Sequence, residues 1–316
     1  MNSFRSFSFS LALTLLCFLA GLRFPLLGLV LLPLAVHFPL AMGVQHGPRL
    51  GLAVPLLALL ILAVMGDAGP VVSYTVLAAL MAPLIVSLRG SVSIERRVVM
   101  SAASGMAVSG ALLLWAAGSF SELYRATGEI LRENVEASLA FYGKIGFSDQ
   151  DLSRLREQVP GIVQFIVDIM PALAFAGFVA VILFNLAVLA RRFPDQRSRL
   201  VSEGDLREWQ AAEPAVWLFI GSGFLYLLAP HELVQIAALN LFLVSLVFYF
   251  FQGLAIMSYY FHHKKVPVFL RGLGYVLLAL EQIMMLAVVG LGLFDIWMDF
   301  RGLKKKDLTP ESNLTR

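Results

Sequence analysis

Charge is scarce in this chain. Only 14% of its 316 residues are Asp, Glu, Lys or Arg, while 59% are hydrophobic, and the mean hydropathy is +0.81. Soluble domains carry about 25% charged and about 45–50% apolar residues. A soluble core of this size has no room for so much apolar surface, so lipid must be the main solvent. Cysteine is nearly absent too: the single Cys17 lies inside an apolar run, which excludes a disulfide framework. Enzyme signatures are also missing. There is no HExxH, and His37, His46, His231, His262 and His263 have no metal-ligand spacing. Ser109 and Ser222 precede glycines but lack the leading glycine of an intramembrane serine-hydrolase turn, and no Walker-type phosphate loop occurs. These absences predict a chain that is not an enzyme and uses no metal or cofactor. The net charge of +3 does not point to nucleic acid, because the basic residues sit in short clusters between apolar runs.

Apolar runs are what the chain has in quantity. Crossing about 30 Å of hydrocarbon takes about 20 residues of helix. The candidate segments are Phe7–Gly21, Phe24–Met42, Leu50–Gly66, Gly69–Leu88, Val98–Ala117, Pro160–Ala190, Pro214–Ala229, Leu233–Phe261 and the stretch Val266–Phe300. Open strands would leave backbone groups unpaired in lipid, so the segments must be helical. The expected fold is an all-α, polytopic transmembrane helical bundle with about 9–10 membrane segments, forming one membrane domain over residues 1–316. Pro33, Pro39, Pro55 and Pro171 lie within spans and predict kinks. The first run is not a cleaved signal peptide, since Phe18 occupies the −3 position for cleavage after Ala20.

Basic clusters orient the bundle. Arg89, Arg96 and Arg97 follow the fourth segment; Arg191, Arg192, Arg197 and Arg199 follow the sixth; Lys264 and Lys265 follow the eighth. With the N-terminus inside, all three fall on the cytoplasmic side. The large loop Gly118–Val159 then lies outside, with seven acidic and five basic residues. Its Leu123, Ile130, Leu131, Val135 and Leu139 recur at helical spacing, and Ser148 caps a second helix. This loop reads either as a hairpin on the membrane surface or as a lid or docking element. Val266–Phe300 would be about 52 Å long as one helix. A hairpin turning near Glu281-Gln282 keeps Lys304, Lys305, Lys306 and the tail 302–316 cytoplasmic.

Ionisable groups at membrane depth are costly and mark candidate sites. Asp168, three residues before Pro171, is the candidate cavity or ligand residue, with a place near the outer interface as the alternative. Asn240 is a second candidate cavity residue, although Asn185 and Asn240 also suit hydrogen bonding between helices. Asp295 and Asp299 flank Trp297 ahead of Arg301, an arrangement that suits interfacial ion pairing. Ser101, Gly105 and Ser109 form a stripe of small residues fit for close helix packing.

Gln252-Gly253-Leu254-Ala255-Ile256, followed by Tyr259-Tyr260-Phe261 and a basic turn, resembles the YybS-like family of bacterial membrane proteins. The ending from Gly292 to Arg301, with Asp295, Asp299 and Arg301, resembles that family's tail. The resemblance implies a multi-pass protein of the bacterial inner membrane and brings no biochemical activity. The first five segments, with a proline-broken second helix and His46-Gly47-Pro48-Arg49-Leu50-Gly51, are similar to membrane-embedded substrate-binding subunits of energy-coupling-factor vitamin transporters. Two functions follow as expectations. One is a small-molecule transport or substrate-binding component; the other is a non-transporting scaffold or assembly factor for envelope proteins. The expected partners are the lipid bilayer and either a small molecule or other membrane proteins.

Overall fold

The computed structural model describes residues 3–88, 90, 92–201, 206–212 and 215–303. The basic-cluster residue Arg89, Lys304–Lys306 and the tail from 304 onward lie outside the described residues. Among the described residues the chain is helical throughout, with no strand. It divides into two compact units, Met1–Ser202 and Glu203–Arg316.

The first unit contains α1 (Ser3–Arg23), α2 (Pro25–His46), α3 (Pro48–Val64), α4 (Ala68–Ser87), α5 (Ile94–Ala117), α6 (Phe120–Lys144), α7 (Asp149–Arg192) and the short α8 (Arg197–Val201). Local chemistry sets these limits. Pro25 and Pro48 stand in the first turns of α2 and α3, where a missing N–H costs nothing. Asp67 caps α4 by accepting from Gly69 N at 3.0 Å, and Gly118 closes α5 in the left-handed region at φ 80°. Ser119 caps α6, its Oγ accepting from Glu122 N at 3.1 Å. Close glycine contacts draw the span helices together. A Cβ on Gly51 would lie 2.7 Å from Gly43 Cα, so α2 and α3 meet backbone to backbone there. Within the small-residue stripe of α5, Ser101 is buried and Gly105 receives the Phe178 ring of α7.

The second unit contains α9 (Ala215–Leu228), α10 (Glu232–His263), α11 (Val268–Leu280) and α12 (Gln282–Met298). The break between the last two falls at Glu281, whose backbone is extended. The helices meet there at 103°, between a straight helix and an antiparallel hairpin. Among the described residues, six helices are long and apolar enough to cross a membrane, or seven with the bent α11–α12 pair taken as one span. The shorter apolar helices α3 and α9 complete the nine apolar stretches expected from the sequence.

One expected boundary is absent. The capped outer helix and the sixth membrane segment are a single 44-residue helix, α7, about 66 Å long. Pro160 and Pro171 lie inside it without ending it.

Candidate functional site

Gln252 on α10 and Asp295 on α12 are 43 residues apart in sequence and adjacent in space. Glycine makes this possible. A Cβ on Gly253 would run into the Val288 carbonyl, and one on Gly292 into the Tyr249 carbonyl, so the two backbones touch at this crossing. Side chains just beyond it can therefore bond directly.

Asp295 is fully buried and its carboxylate is used on both sides. Oδ2 accepts from Gln252 Nε2 at 3.1 Å, from Arg301 at 2.7 Å and from Gln210 at 3.5 Å. Oδ1 accepts from Phe300 N at 3.0 Å. Gln252 in turn accepts from Ala211 N at 3.1 Å. Arg301 also donates to the carbonyls of Arg207 and Trp209, at 2.7 and 2.9 Å. The fold-back that brings Arg301 to Asp295 is local. Asp299 ends α12 with φ 44°, in the left-handed region that Asp tolerates better than most residues. Its side chain accepts from Leu303 N at 2.9 Å. Gln252, Gly253, Asp295, Asp299 and Arg301 thus form one constellation. The Asp295–Arg301 pair is shielded from solvent, with both side chains at 0% exposure, rather than spread along an interface. Trp297 is exposed, as an aromatic anchor would be.

Asp168 belongs to a different setting. It is half-buried on α7, where Tyr124 of α6 donates to its Oδ1 and Gln164 donates to the same oxygen at 3.1 Å. Gln164 also bonds Tyr124, closing a triangle at the root of the α6–α7 pair. Asn185 lies further along the helix, donating to Pro33 O at 3.1 Å and Val181 O at 2.9 Å. Asn240 is in the second unit and donates to Ile236 O of its own helix.

Helices α6 and α7 pack antiparallel around Leu139, Leu152, Val159, Val163 and Val167, with Glu136 facing Arg156 at 3.7 Å. A shallow groove of about 270 Å³ runs along one side of the pair. Its rim carries Arg125, Glu129 and Arg132, beside Tyr124 and Gln164. Hydrogen bonds to Glu122 and Glu129 hold the Arg125 guanidinium above its ordinary pKa.

Other polar groups are buried in the first unit. Arg97 is 1% exposed and donates to four carbonyls: Arg199, Leu200, Ser87 and Val92, at 2.9, 2.7, 3.1 and 3.2 Å. His37 is buried on α2, with its Nε2 3.3 Å from Arg192. Tyr74 Oη and Ser101 Oγ are buried with no hydrogen-bond partner among the described residues. Asn185 Oδ1, on a side chain next to the His37 ring, makes no hydrogen bond of normal geometry. A polar residue inside an otherwise apolar helix was the available signal, but only burial separates these groups from surface ones.

No curated protein and no solved structure matched this chain. A family model matches residues 12–296, a span that takes in the glycine crossing and Asp295. The chain belongs to the family described as "Predicted membrane protein (DUF2232)".

Proposed function

We propose that this chain is a small-molecule transport or substrate-binding component of the bacterial inner membrane, with helices α1–α5 and α7 of the first unit forming the binding element. The observation that carries this reading is a pair of buried hydroxyls with no hydrogen-bond partner among the described residues: Tyr74 Oη on α4 and Ser101 Oγ on α5. An unpaired buried hydroxyl costs about 1–3 kcal/mol. A polar solute offering matching donors and acceptors would recover that cost. The likeness of the first five segments to vitamin-binding membrane subunits supports the same reading, and the YybS-like resemblance supports the inner membrane. No catalytic step is proposed.

The test is to purify the full chain from its native membrane in mild detergent, denature it and identify released small molecules by mass spectrometry. A near-stoichiometric polar metabolite is expected. A Tyr74→Phe, Ser101→Ala double variant should lose it while keeping its melting temperature. If nothing is released and the double variant is merely more stable, the hydroxyls are dry packing defects and the reading fails.

We assign both termini to the cytoplasm and the α6–α7 pair to the outer face, because the clusters Arg96-Arg97, Arg191-Arg192 and Lys264-Lys265 then share the inner side. A reporter fused after Arg316 that is active only outside the cytoplasm should stay silent; its activity would overturn the orientation. The α6–α7 pair also favours a second reading, a scaffold or assembly factor for envelope proteins. With its own core, the pair is a preformed docking element with a charged groove along one flank of its packing line.

A further inference from the structure

Two matched stripes build the groove of the α6–α7 pair. Arg125, Gly128, Glu129 and Arg132 stand at i, i+3, i+4 and i+7 on α6. Pro160, Val163, Gln164 and Val167 repeat that spacing on α7. The floor is apolar, because Val163 and Val167 also belong to the core of the pair. A Cβ at Gly128 would meet nothing within 4 Å, so this glycine leaves open space rather than a helix contact. Glu122 and Glu129 both hold Arg125. Arg132 is exposed and makes no ion pair or hydrogen bond among the described residues, which leaves it as the uncompensated charge of the rim. Side chains on a helix lean toward its N-terminus. Helix α6 begins at the membrane end of the pair, so Arg132 leans toward the bilayer.

Contacts with the spanning helices set the depth of the groove. Arg97, near the start of α5, bonds carbonyls of α8 beyond the end of α7, and Gly105 of α5 receives the Phe178 ring of α7. The two helices are therefore antiparallel. Trp115 on α5 and Asp168 on α7 both lie about 15 Å from the Gly105–Phe178 contact, on the side of the α6–α7 pair. Trp115 is 80% exposed, as an interfacial anchor would be. From Arg192 to Asp168 the helix rises about 36 Å, or about 34 Å across a bilayer at a tilt of about 20°. The hydrocarbon is about 30 Å thick, so Asp168 lies just beyond its edge. Val167 and Gln164 fall within about the next 6 Å, the depth of the headgroup phosphates. Arg132 stands higher, opposite Pro160, and its long side chain leans back toward that layer. We propose that the groove binds the phosphate of a phospholipid headgroup, with Arg132 as the main donor and Arg125 beside it. Guanidinium groups form charge-assisted hydrogen bonds with phosphate oxygens. The floor of Val163 and Val167 accommodates the glycerol and first acyl methylenes, which a free phosphate lacks. The outer leaflet follows from the orientation proposed above; the depth does not depend on it.

Native mass spectrometry tests this on the full chain, stripped of lipid in detergent, with dioleoylphosphatidylglycerol, dioleoylglycerol and inorganic phosphate as probes. Arg132→Gln should weaken the tightest phosphatidylglycerol adduct about tenfold, the loss expected for one charge-assisted hydrogen bond. Gly128→Leu should weaken it at least as much, by filling the groove. Arg154→Gln removes the same charge from an exposed position outside the groove and should leave the adduct unchanged. Melting temperatures should hold for all three variants, because none of these residues is buried. Dioleoylglycerol, which lacks the phosphate, should not discriminate among them. An equal loss in Arg154→Gln, or no loss in Arg132→Gln and Gly128→Leu, would overturn the proposal, because binding would then follow net charge or another surface. Inorganic phosphate bound as tightly as the lipid would also overturn it and make the groove a site for a soluble anion.

Discussion

Among the described residues, each unit buries one arginine that holds carbonyls of the segment leading from α7 to α9, but the two charges are balanced differently. Arg301 in the second unit faces a full negative charge, the Asp295 carboxylate at 2.7 Å, and adds two carbonyls. Arg97 in the first unit bonds four carbonyls. Ser87 ends α4, and Arg199 and Leu200 lie in the last turn of α8, so part of its compensation comes from the negative ends of two helices. In both side chains the Nε finds no partner among the described residues. Two solutions to the same burial problem thus coexist in one chain. One uses a whole opposing charge, which becomes a liability once its partner is removed. The other uses partial charges, whose loss leaves only unpaired dipoles.

The sharpest way to break this comparison is to replace each arginine by methionine. Arg301→Met leaves Asp295 as an uncompensated charge in the interior, and breaking such a pair costs about 3–5 kcal/mol. Arg97→Met leaves carbonyls at helix ends, where local opening lets water in; an unpaired group of this kind costs about 1–3 kcal/mol. Melting temperatures in nanodiscs should fall further for Arg301→Met. Adding Asp295→Asn should restore part of the loss, because the orphan charge is then gone. Equal losses at the two positions, with no recovery in the double variant, would mean that charge compensation is not what distinguishes them.

The same contrast shows where the sequence was legible. Nine apolar stretches and the cap at Ser148 follow from residue types within a few positions of each other, and a turn near Glu281 follows from the length of the last stretch. Membership of a constellation does not. Asp295, Asp299 and Arg301 read as interfacial because they neighbour Trp297 and a basic tail, and nothing local shows Gln252 arriving across the Gly253–Gly292 contact. Gln252 and Gly253 were marked by resemblance, and the physical reason for their pairing with Asp295 is visible only in three dimensions. The length of α7 was hidden for a different reason. Pro160 looks like a helix start, but a proline inside a long helix packed along α6 removes one hydrogen bond without ending the helix. Arg97 counted in the sequence only as a marker of orientation, because a basic residue near a span end is ordinarily solvated.

Asp168 completes the comparison as a third polar cluster, and the expected structural effect there is the smallest. Its carboxylate is half-buried, so solvent shares its charge, unlike that of Asp295. The Tyr124 hydroxyl and the Gln164 amide both donate to Oδ1, and an asparagine oxygen in the same place can accept from both. Asp168→Asn therefore removes the charge while keeping the triangle, at a cost of about 0.5–1.5 kcal/mol for the weakened hydrogen bonds. Hydrogen–deuterium exchange of α6 should change only within that range. If Asp168 also serves a ligand or a proton, as its place on α7 first suggested, the variant should lose the small molecule retained by the purified wild-type chain while exchange stays near normal. Opening of α6 throughout its length would instead make Asp168 the fastening of the pair. Retention of both the ligand and the exchange pattern would show that its negative charge serves neither role.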